Sequence, residues 1–292
     1  MIRSGDVLLV FGLGYSGRAV AQAATAAGVA VVATSRDPAR VTAPPGVSCV
    51  AFDAARPAIG AATHLLATAP PEAGGDPALL RYAEDIAAAP RLRWLGYFST
   101  TGVYGDRAGG WVDETTPAAP ASSRTWRRVE AEAAWSAVAR GRQVDLFRLA
   151  GIYGPGRSAI DDVRAGAARR IVKPGHSFGR IHRDDIAAAV VAALRQDRPP
   201  GPRVLNLADD VPEETARVVE EAARLLGVPP PPAVPFAEAW EAMSSMARSF
   251  WSENRKVASR ITQSALGITW RHPSYREGLR AILAEEGGQG PA

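Results

Sequence analysis

A glycine-rich turn close to the start of the chain constrains the fold more strongly than any other feature. The segment GLGYSG, residues 12–17, has the GxGxxG spacing and directly follows an apolar run at residues 6–11 that is typical of a buried strand. Residues 18–27 are rich in alanine, as in a helix that packs on a sheet, and Gly28 follows as a helix-ending glycine. Residues 29–33 form a second apolar run. The order strand, glycine turn, helix, strand predicts a turn that binds a pyrophosphate.

Each glycine of this turn has a physical role in such a site. Gly12 permits the tight turn, Gly14 lets the backbone approach a pyrophosphate, and Gly17 lets the helix lie close to the strand. Tyr15 and Ser16 lie at the helix N-terminus, where backbone N–H groups and a partial positive charge face the phosphates. The alternative is a glycine turn that serves packing alone.

The end of the second strand indicates which dinucleotide the turn prefers. An acidic residue there would bind the ribose 2′-OH of NAD, but this chain has Ser35 followed by Arg36. A hydroxyl and a guanidinium suit the 2′-phosphate of NADP, so we predict NADP rather than NAD. Asp37 comes one position late for the NAD role and is expected to cap the next turn. The alternative for Arg36 is a solvated surface side chain.

Further apolar runs alternate with helical segments along the chain. Strands are predicted at residues 47–52, 63–68, 93–100, 144–149 and 204–207, and helices at residues 77–89, 123–139 and 184–194. This alternation predicts an α/β fold, a doubly wound parallel sheet that binds ligands at the carboxyl ends of its strands.

Two of these strand ends supply further candidate cofactor contacts. Thr68 and Ala69 begin a loop that would face the cofactor. Asp53, at the end of the third strand, either accepts from the adenine amino group or caps a turn.

Five motifs in order carry a resemblance to a known family. They are GLGYSG, FSTTGVYGD (residues 98–106), FRLAGIYGPGR (147–157), RIHRDDIAAAV (180–190) and LNLADD (205–210). Together they resemble the extended short-chain dehydrogenase/reductase superfamily of the NAD(P)-dependent epimerase/dehydratase type. The tail at residues 252–282 resembles its atypical subgroup. The resemblance implies a Rossmann-type domain with a smaller C-terminal substrate domain.

Members of that superfamily use a Ser or Thr, a Tyr and a Lys for catalysis, the last two in a YxxxK pair. Thr100 aligns with the Ser/Thr, and Thr101 is the neighbouring candidate. No YxxxK occurs in this chain. The expected helix keeps the family glutamate at Glu132, and counting back in fours places Arg128 in the lysine position and Arg124 in the tyrosine position.

The two arginines cannot reproduce the tyrosine's chemistry. Arg128 can still donate to ribose hydroxyls, as the lysine would. Arg124 cannot act as a general acid at neutral pH, but it can bind a carboxylate or phosphate of a substrate. The alternative is that Arg124, Arg128 and Glu132 form a solvated stripe on one helix face.

Other side chains are candidates for the missing proton donor or for substrate contacts. Tyr104 and Tyr153 both follow strands at the ligand edge, and Tyr104 is the better alternative acid unless it is simply packed. Lys173 and His176 lie on a predicted loop over the site, where they contact substrate or are merely exposed. His182 and Asp185 are expected to have structural roles.

The predicted domains divide the chain in an interleaved way. Residues 1–150 with 181–208 form the nucleotide domain, residues 151–180 with 209–285 form the substrate domain, and residues 286–292 form a disordered tail. Trp240, Met243, Met246, Phe250 and Trp251 recur at helical spacing, which predicts a core for the small domain; a pocket wall or a dimer face is the alternative. Residues 254–256 are candidates to close over the cleft.

Composition excludes several classes of partner. The net charge is only +4, and 32 of the 34 basic residues are arginines spread along the chain, so no basic patch predicts nucleic-acid binding. One cysteine and four histidines make a metal site unexpected. No apolar stretch reaches the length of a membrane span, and we expect a cytoplasmic monomer or homodimer.

Two classes of function follow. The first is an NADP-dependent oxidoreductase or epimerase that acts on a small carbonyl, imine or sugar-like substrate with a non-standard proton donor. The second is a non-catalytic NADP-binding redox sensor. A concave pocket beside the nicotinamide would favour the enzyme, and a flat apolar face would favour the sensor.

Overall fold

The computed structural model describes residues 2–288. Its strands are β1 (Val7–Phe11), β2 (Ala30–Ser35), β3 (Val47–Ala51), β4 (His64–Ala67), β5 (Trp94–Thr100), β6 (Trp111–Val112), β7 (Gln143–Leu149), β8 (Gly151–Tyr153), β9 (Arg170–Val172), β10 (Arg180–His182), β11 (Gly201–Leu207), β12 (Ala233–Pro235) and β13 (Lys256–Val257). The α-helices are α1 (Tyr15–Ala26), α2 (Arg56–Ala61), α3 (Pro77–Ala88), α4 (Ser123–Val138), α5 (Ala159–Arg164), α6 (Arg183–Leu194), α7 (Thr215–Leu226), α8 (Phe236–Glu241), α9 (Ser245–Trp251), α10 (Arg260–Leu266) and α11 (Tyr275–Gly288).

Seven strands form one parallel sheet in the order β11-β7-β5-β4-β1-β2-β3. The chain winds outward from β1 to β3 and then returns to β4, so the winding reverses between β1 and β4. In such sheets ligands bind at the carboxyl ends of the strands beside this reversal. The predicted α/β fold, a doubly wound parallel sheet, is confirmed.

Helices cover both faces of this sheet. On one face α1 packs against α6 over a large apolar cluster that includes Val10, Val20 and Val190. On the other face α2, α3 and α4 cover a second cluster that includes Leu9, Ile86 and Trp135. Both faces are therefore buried, as the continuous apolar strands require.

The glycine turn lets α1 start at the edge of β1. A β-carbon on Gly17 would lie 2.2 Å from the backbone oxygen of Gly12, so only glycine allows this approach of helix to strand. The helix buries small residues there, among them Ser16 and Ala21. It begins three residues earlier than the predicted residue 18, so Tyr15 and Ser16 belong to its first turn.

The remaining segments build smaller units beside the sheet. Short parallel pairs join β8 with β10, β9 with β12, and β6 with β13. One apolar cluster gathers around Ile160, Tyr275 and Ile282, and another around Ile171 and Trp251. The proline-rich segment at residues 227–235 contributes β12.

The aromatic segment near α8 and α9 only partly follows its predicted role in a core. Met243 and Trp251 are buried, but Met246 is 63% exposed and Phe250 is 47% exposed. The helical repeat is interrupted between α8 and α9, which turns these two side chains out of the core.

The C-terminal residues differ from the predicted tail. Residues 286–288 belong to α11, which the apolar contacts of Leu279 and Ile282 hold against the molecule. Residues 289–292 of the predicted disordered tail lie outside the described residues. Among residues 2–288, none of the helices combines the length and the apolar composition that a membrane crossing requires.

Candidate functional site

The glycine turn is held rigidly by the ends of two neighbouring strands. Gly12 has φ of 100°, and its N–H donates to the Thr34 hydroxyl of β2 at 3.3 Å. The Thr68 hydroxyl, just after β4, donates to the backbone oxygen of Gly12 at 2.8 Å. Thr68 therefore fixes the turn from the β4 side, and Ala69 follows it beside the turn.

The outer side of the turn fits the pyrophosphate of a dinucleotide. A β-carbon on Gly14 would meet no atom within 4 Å, so the backbone is open there. No side chain within the described residues caps the N-terminus of α1, which leaves its first N–H groups for a ligand. Open backbone and uncapped N–H groups are the features that an anionic cofactor requires at this position.

Tyr15 contributes its backbone to this helix end while its side chain points elsewhere. Its hydroxyl donates to the backbone oxygen of Pro155 at 3.1 Å. The guanidinium carbons of Arg183 and Arg157 lie 5.4 and 5.7 Å from its ring. Burial raises the pKa of Tyr15, so the ring serves as a packed support between the turn and the loop at residues 154–157.

The end of β2 presents the residues predicted to choose between NAD and NADP. Arg36 is exposed and takes part in none of the ion pairs within residues 2–288. The Ser35 hydroxyl accepts from the N–H of Asp37 at 3.2 Å. The Asp37 carboxylate accepts from the N–H of Ala39 at 3.2 Å, which confirms its predicted capping role.

Asp53 lies on a short helical turn directly after β3. Its carboxylate is exposed and forms an ion pair of 3.4 Å with Arg81. No side-chain cap is formed at that turn among the described residues, so the capping alternative for Asp53 is not realised. An adenine contact by Asp53 stays a prediction.

A cleft of about 490 Å³ opens where β5 and β7 end. Two hydroxyl residues after β5 and the first turn of α4 line one side. The opposite wall comes from the chain beyond residue 170. The lining residues used below are Thr100, Thr101, Ser122, Arg124, Tyr153, Phe178, Arg180, Phe250, Trp251, Glu253 and Arg255.

The two threonines after β5 both reach this cleft, as the resemblance implied for one of them. Thr100 is half-buried, and its hydroxyl accepts from the N–H of Gly102 at 3.1 Å. Thr101 is buried and lines the cleft beside it. Gly102 itself packs against Thr125 of α4, which keeps the turn close to the helix.

Helix α4 separates the predicted arginine stripe into three different environments. Ser122 caps the helix by accepting from Thr125 N–H at 3.2 Å, which points its first turn at the cleft. Arg124 lies over the Phe250 ring, with 4.6 Å between the guanidinium carbon and the ring centroid. Four residues later, the Arg128 Nη1 donates to the backbone oxygen of Phe98 at 2.6 Å.

On the next turn of α4 the Glu132 side chain is buried. The Glu132 carboxylate forms an ion pair with Arg148, at 2.7 and 3.1 Å. The Ser99 hydroxyl donates to the same carboxylate. The alternative of a solvated Arg–Arg–Glu stripe is therefore wrong, because the third residue lies in the core and the second holds the end of β5.

Tyr104 is not placed to act as the proton donor. It is 0% exposed and does not line the cleft. Its hydroxyl donates to Asn206 Oδ1 at 2.7 Å, and Arg148 lies 4.8 Å from its ring centroid. Burial raises the pKa of Tyr104. The chain turns back after β5 and carries the ring into the core, which corrects the prediction of a catalytic acid.

Tyr153 lines the cleft with its backbone and ring, but its hydroxyl points away. The hydroxyl contacts the backbone oxygen of Ser274 at 3.4 Å, beside the α11 glycine Gly278. Burial raises the pKa of Tyr153 as well. No tyrosine hydroxyl among the described residues is presented to the cleft.

Lys173 and His176 stand behind the cleft wall and do not line it. Lys173 Nζ donates to the backbone oxygen of Trp251 at 2.6 Å. His176 is 3% exposed, and its ring lies 4.7 Å from that of Phe178 and 5.2 Å from that of Trp251. Both predicted substrate contacts are thus corrected to supports of Phe178 and Trp251, because Lys173 and His176 pack against these two residues and do not line the cleft.

Several cleft residues have no distinctive local sequence pattern. Glu253 is the one carboxylate among the described lining residues, and it pairs with Arg255 at 2.6 Å. Arg255 also donates to the backbone oxygen of Gly105 at 2.7 Å. The predicted closing role of residues 254–256 pointed to this segment, and a pocket wall was one predicted alternative for Phe250 and Trp251, but nothing in the spacing singled out Glu253 or Arg180.

His182 and Asp185 have the structural roles that were expected. His182 Nδ1 accepts from the N–H of Asp184 at 3.3 Å and caps α6. The Asp185 carboxylate accepts from the backbone N–H groups of Arg271 and His272 at 2.7 and 3.1 Å. The ligand atoms of His182, Asp185 and His272 lie close enough together to bind one metal ion. The Asp185 carboxylate already forms a hydrogen bond with His272 Nδ1.

The fold and the site together define a Rossmann-type α/β protein with a glycine turn at its sheet edge. The glycine turn lies at the reversal of the winding, and the cleft lies along the same sheet edge. Solved structures share this fold. MoeE5, in complex with UDP-glucuronic acid and NAD, has a TM-score of 0.75 and 21% identity over 97% of this chain and all of its own. Human epimerase family protein SDR39U1, with NADPH, has a TM-score of 0.72 and 21% identity over 95% of this chain and 99% of its own.

A much more similar structure is that of a functionally unknown conserved protein from Silicibacter pomeroyi DSS. It is 43% identical, covers 96% of this chain and 99% of its own, and has a TM-score of 0.89. The chain belongs to one family with that protein. The Rossmann-type fold that the sequence motifs implied is confirmed.

Two curated relatives match part of the chain. Protein YeeZ from Escherichia coli (strain K12) is 36% identical over 149 residues, 50% of this chain and 51% of its own. The 3-diazoavenalumate denitrifying reductase from Streptomyces sp is 31% identical over 142 residues, 46% of this chain and 45% of its own. The match spans about half the length of these relatives. No family model matches the chain.

Proposed function

We propose that the protein is an NADP-dependent oxidoreductase or epimerase that acts on a small carbonyl, imine or sugar-like substrate. The observation that carries the proposal is the concave cleft of about 490 Å³ on the same sheet edge as the glycine turn. A dinucleotide extended from the turn at β1 toward β5 would bring its nicotinamide to Thr100. An enclosed site there favours catalysis over a flat partner-binding face.

The preference for NADP is part of this proposal. Arg36 is exposed at the end of β2 with its guanidinium uncommitted among the described residues, and Ser35 adds a hydroxyl. A guanidinium matches a phosphate through two parallel hydrogen bonds. The human relative in fold was solved with NADPH, whereas MoeE5 was solved with NAD.

In the proposed reaction the residues of the cleft position the substrate and direct the proton transfer. The bound nicotinamide would supply or accept the hydride. The Thr100 and Ser122 hydroxyls, on the same side of the cleft, hydrogen-bond the reacting oxygen or nitrogen. Arg128 keeps the end of β5 in place through the backbone oxygen of Phe98 and does not reach the substrate. The proton comes from a water held at these hydroxyls, since Glu253 is engaged by Arg255.

The proposal assigns cofactor binding and substrate binding to different segments of the chain. Residues 1–150 with 181–208 would bind the cofactor, and residues 151–180 with 209–285 would shape the substrate side. Arg124 and Thr100 reach the cleft from the first group, and Phe178, Phe250 and Trp251 reach it from the second. Substrate would bind between the two.

The non-catalytic redox sensor is the second candidate, and one observation favours it. Among the described residues no tyrosine hydroxyl faces the cleft, so the proton donor of the superfamily has no direct replacement. A sensor would bind one redox state of the cofactor much more tightly than the other.

Cofactor titration followed by a turnover screen distinguishes the two. The full-length protein is titrated with NADPH, NADP, NADH and NAD by fluorescence and calorimetry. It is then assayed for NADPH oxidation with a panel of aldehydes, ketones, imines and keto-sugars. We expect both NADP forms to bind with similar affinity, and Thr100→Ala to lower turnover by about tenfold or more while Thr100→Ser retains most of it.

Two results would contradict the proposal. A strong preference for one redox state with no turnover of any substrate class would favour the sensor. A protein that binds none of the four dinucleotides would show that the glycine turn serves packing alone.

A further inference from the structure

We infer that the cleft takes an aromatic carboxylate, with the ring against an aromatic wall and the carboxylate on Arg124. The aromatic wall is defined as Phe178, Phe250 and Trp251. This ligand class rests on the proposed function in one respect: the cleft must be the site that binds the substrate. It adds a substrate class that the reaction type does not require.

Arg124 is an uncommitted cation at the cleft. It lines the cleft, and within residues 2–288 its guanidinium makes neither a side-chain hydrogen bond nor an ion pair. Its guanidinium carbon lies over the face of Phe250, 4.6 Å from the ring centroid. A guanidinium that rests on an aromatic face keeps its N–H edges open, and these edges match a carboxylate through two parallel hydrogen bonds.

The surrounding charges favour one negative group on the ligand. The described residues of the cleft include three arginines, Arg124, Arg180 and Arg255, against the single carboxylate of Glu253. Desolvation and the nearby Arg128 lower the pKa of Arg124, while Glu253 acts in the opposite direction. An anion beside Arg124 would offset this excess of positive charge.

The other two arginines are already engaged. Arg180 Nη1 donates to the backbone oxygens of Phe178 and Glu213, both at 2.9 Å. Arg255 Nη1 serves Glu253 and the backbone oxygen of Gly105. Among the described lining residues, Arg124 is the arginine whose guanidinium has no hydrogen-bond acceptor, and such a group suits a carboxylate, whereas the diphosphate of a nucleotide sugar needs several open donors.

The aromatic wall supplies the apolar part of the site. The rings of Phe178 and Trp251 meet edge to face at 5.0 Å, and His176 packs behind them. Phe250 is 47% exposed although it is a large apolar side chain, so it offers a ring face at the cleft next to Arg124. Stacking of a planar aromatic ligand on such ring faces contributes binding free energy beyond that from burial of apolar surface.

The test uses ligand binding and not turnover, so that its failure is distinguishable from failure of the proposed reaction. The full-length protein, saturated with NADP, is titrated calorimetrically with cinnamate, with the uncharged isostere cinnamamide, and with UDP-glucuronate. NADP affinity is measured separately for each variant. We expect cinnamate to bind at least about tenfold more tightly than the amide and than the nucleotide sugar.

Matched variants assign the contacts. Arg124→Gln is expected to weaken cinnamate binding by about tenfold or more, to leave cinnamamide and NADP unchanged, and to be only partly repaired by Arg124→Lys. Phe250→Leu is expected to weaken cinnamate and cinnamamide alike. Arg127→Gln removes the same charge three residues later on α4, outside the cleft lining, and is expected to leave the affinities for cinnamate, cinnamamide and NADP unchanged.

Four outcomes would overturn the inference. They are failure of cinnamate to bind, equal affinity for acid and amide, tighter binding of UDP-glucuronate than of cinnamate, and equal loss of cinnamate binding in Arg127→Gln and Arg124→Gln. Normal NADP binding in the same samples would leave the proposed function standing in each case.

Discussion

Gly14 and Gly17 belong to the same glycine turn but differ in what surrounds them. A β-carbon on Gly17 would strike the backbone oxygen of Gly12, whereas one on Gly14 would enter open space. Gly17→Ala is therefore expected to lower the free energy of unfolding by about 1–3 kcal/mol, since α1 must move off β1. Urea denaturation measures this loss.

Gly14→Ala is the matched control for stability and is expected to be nearly neutral in the same measurement. In the proposed site its methyl group would occupy the place of the pyrophosphate, so it should weaken NADPH binding by about tenfold or more. Equal destabilisation by both alanines would contradict the packing difference, and unchanged NADPH binding in Gly14→Ala would contradict the proposed location of the phosphates.

Arg36 decides the proposed cofactor preference at the residue scale. Arg36→Ala is expected to weaken NADPH binding by about tenfold to a hundredfold and to leave NADH binding unchanged, because only NADPH carries the 2′-phosphate. Fluorescence titration with both cofactors measures the ratio. Arg40→Ala serves as the control, since Arg40 is also exposed but pairs with Asp37. An equal loss for both cofactors would mean that Arg36 contributes only general charge.

At the scale of elements, α4 illustrates how far local spacing can be trusted. The spacing in fours correctly predicted the helix and the shared side of Arg124, Arg128 and Glu132. It could not predict that one residue reaches the cleft, one reaches the end of β5, and one is buried against β7. Those environments depend on how α4 lies across the sheet, which the neighbouring strands and α3 determine.

The buried ion pair between Glu132 and Arg148 ties α4 to β7. Glu132→Ala is expected to lower the free energy of unfolding by about 3–5 kcal/mol, because it leaves the Arg148 guanidinium buried without its partner. Replacing both residues by methionine should lower the free energy of unfolding much less. Arg224→Gln, at an exposed pair with Glu221, should change stability by less than about 1 kcal/mol. Denaturant titration of the parent and the three variants tests the expectation, and similar losses in Glu132→Ala and Arg224→Gln would refute it.

At the scale of the whole molecule, two buried groups predict opposite responses of stability to pH. Asp209 is buried, and within the described residues neither carboxylate oxygen has a hydrogen-bond partner. Burial raises the pKa of Asp209 to about 8, although Arg180 acts in the opposite direction. The folded protein therefore keeps a proton that the unfolded chain loses near the ordinary value of 3.8, so stability decreases as the pH rises from about 4 to about 8.

Asp209→Asn should remove this dependence. We expect the variant to gain stability relative to the parent as the pH increases, by on the order of 2–4 kcal/mol near pH 8. Thermal unfolding at several pH values measures the difference, with the adjacent Asp210→Asn as a control at an exposed position. Parallel pH curves for parent and Asp209→Asn would show that Asp209 does not retain its proton in the folded state.

His64 is expected to make the folded protein less stable at acidic pH. It is buried on β4 beside Thr63, and burial, helped by Arg93, lowers the pKa of His64 to about 4. The unfolded chain binds a proton near the ordinary value of 6.5, so this contribution to stability is complete above that pH and is lost as the pH falls toward 4. His64→Leu should reduce the loss by up to about 3 kcal/mol, measured by urea unfolding near neutral pH and near pH 4.5. An unchanged acid loss in the variant would assign it to other groups.

The sequence by itself determined the parts of this protein that depend on short-range spacing. The glycine turn, the alternation of strands and helices, the positions of Thr100 and of the two arginines, and the lack of a YxxxK pair could all be read from neighbouring residues. Each rests on a constraint that acts within one turn or one strand: a backbone that only glycine fits, an apolar period, or a residue type at a fixed offset.

Only the tertiary structure decided which side chains meet. The ring of Tyr104 enters the core because its hydroxyl meets Asn206, 102 positions further along the chain. The aromatic wall and Glu253 reach Arg124 only because the segments carrying β9, β12 and β13 pack beside the sheet. Contacts between such distant residues depend on the packing of whole elements, and no local spacing encodes that packing.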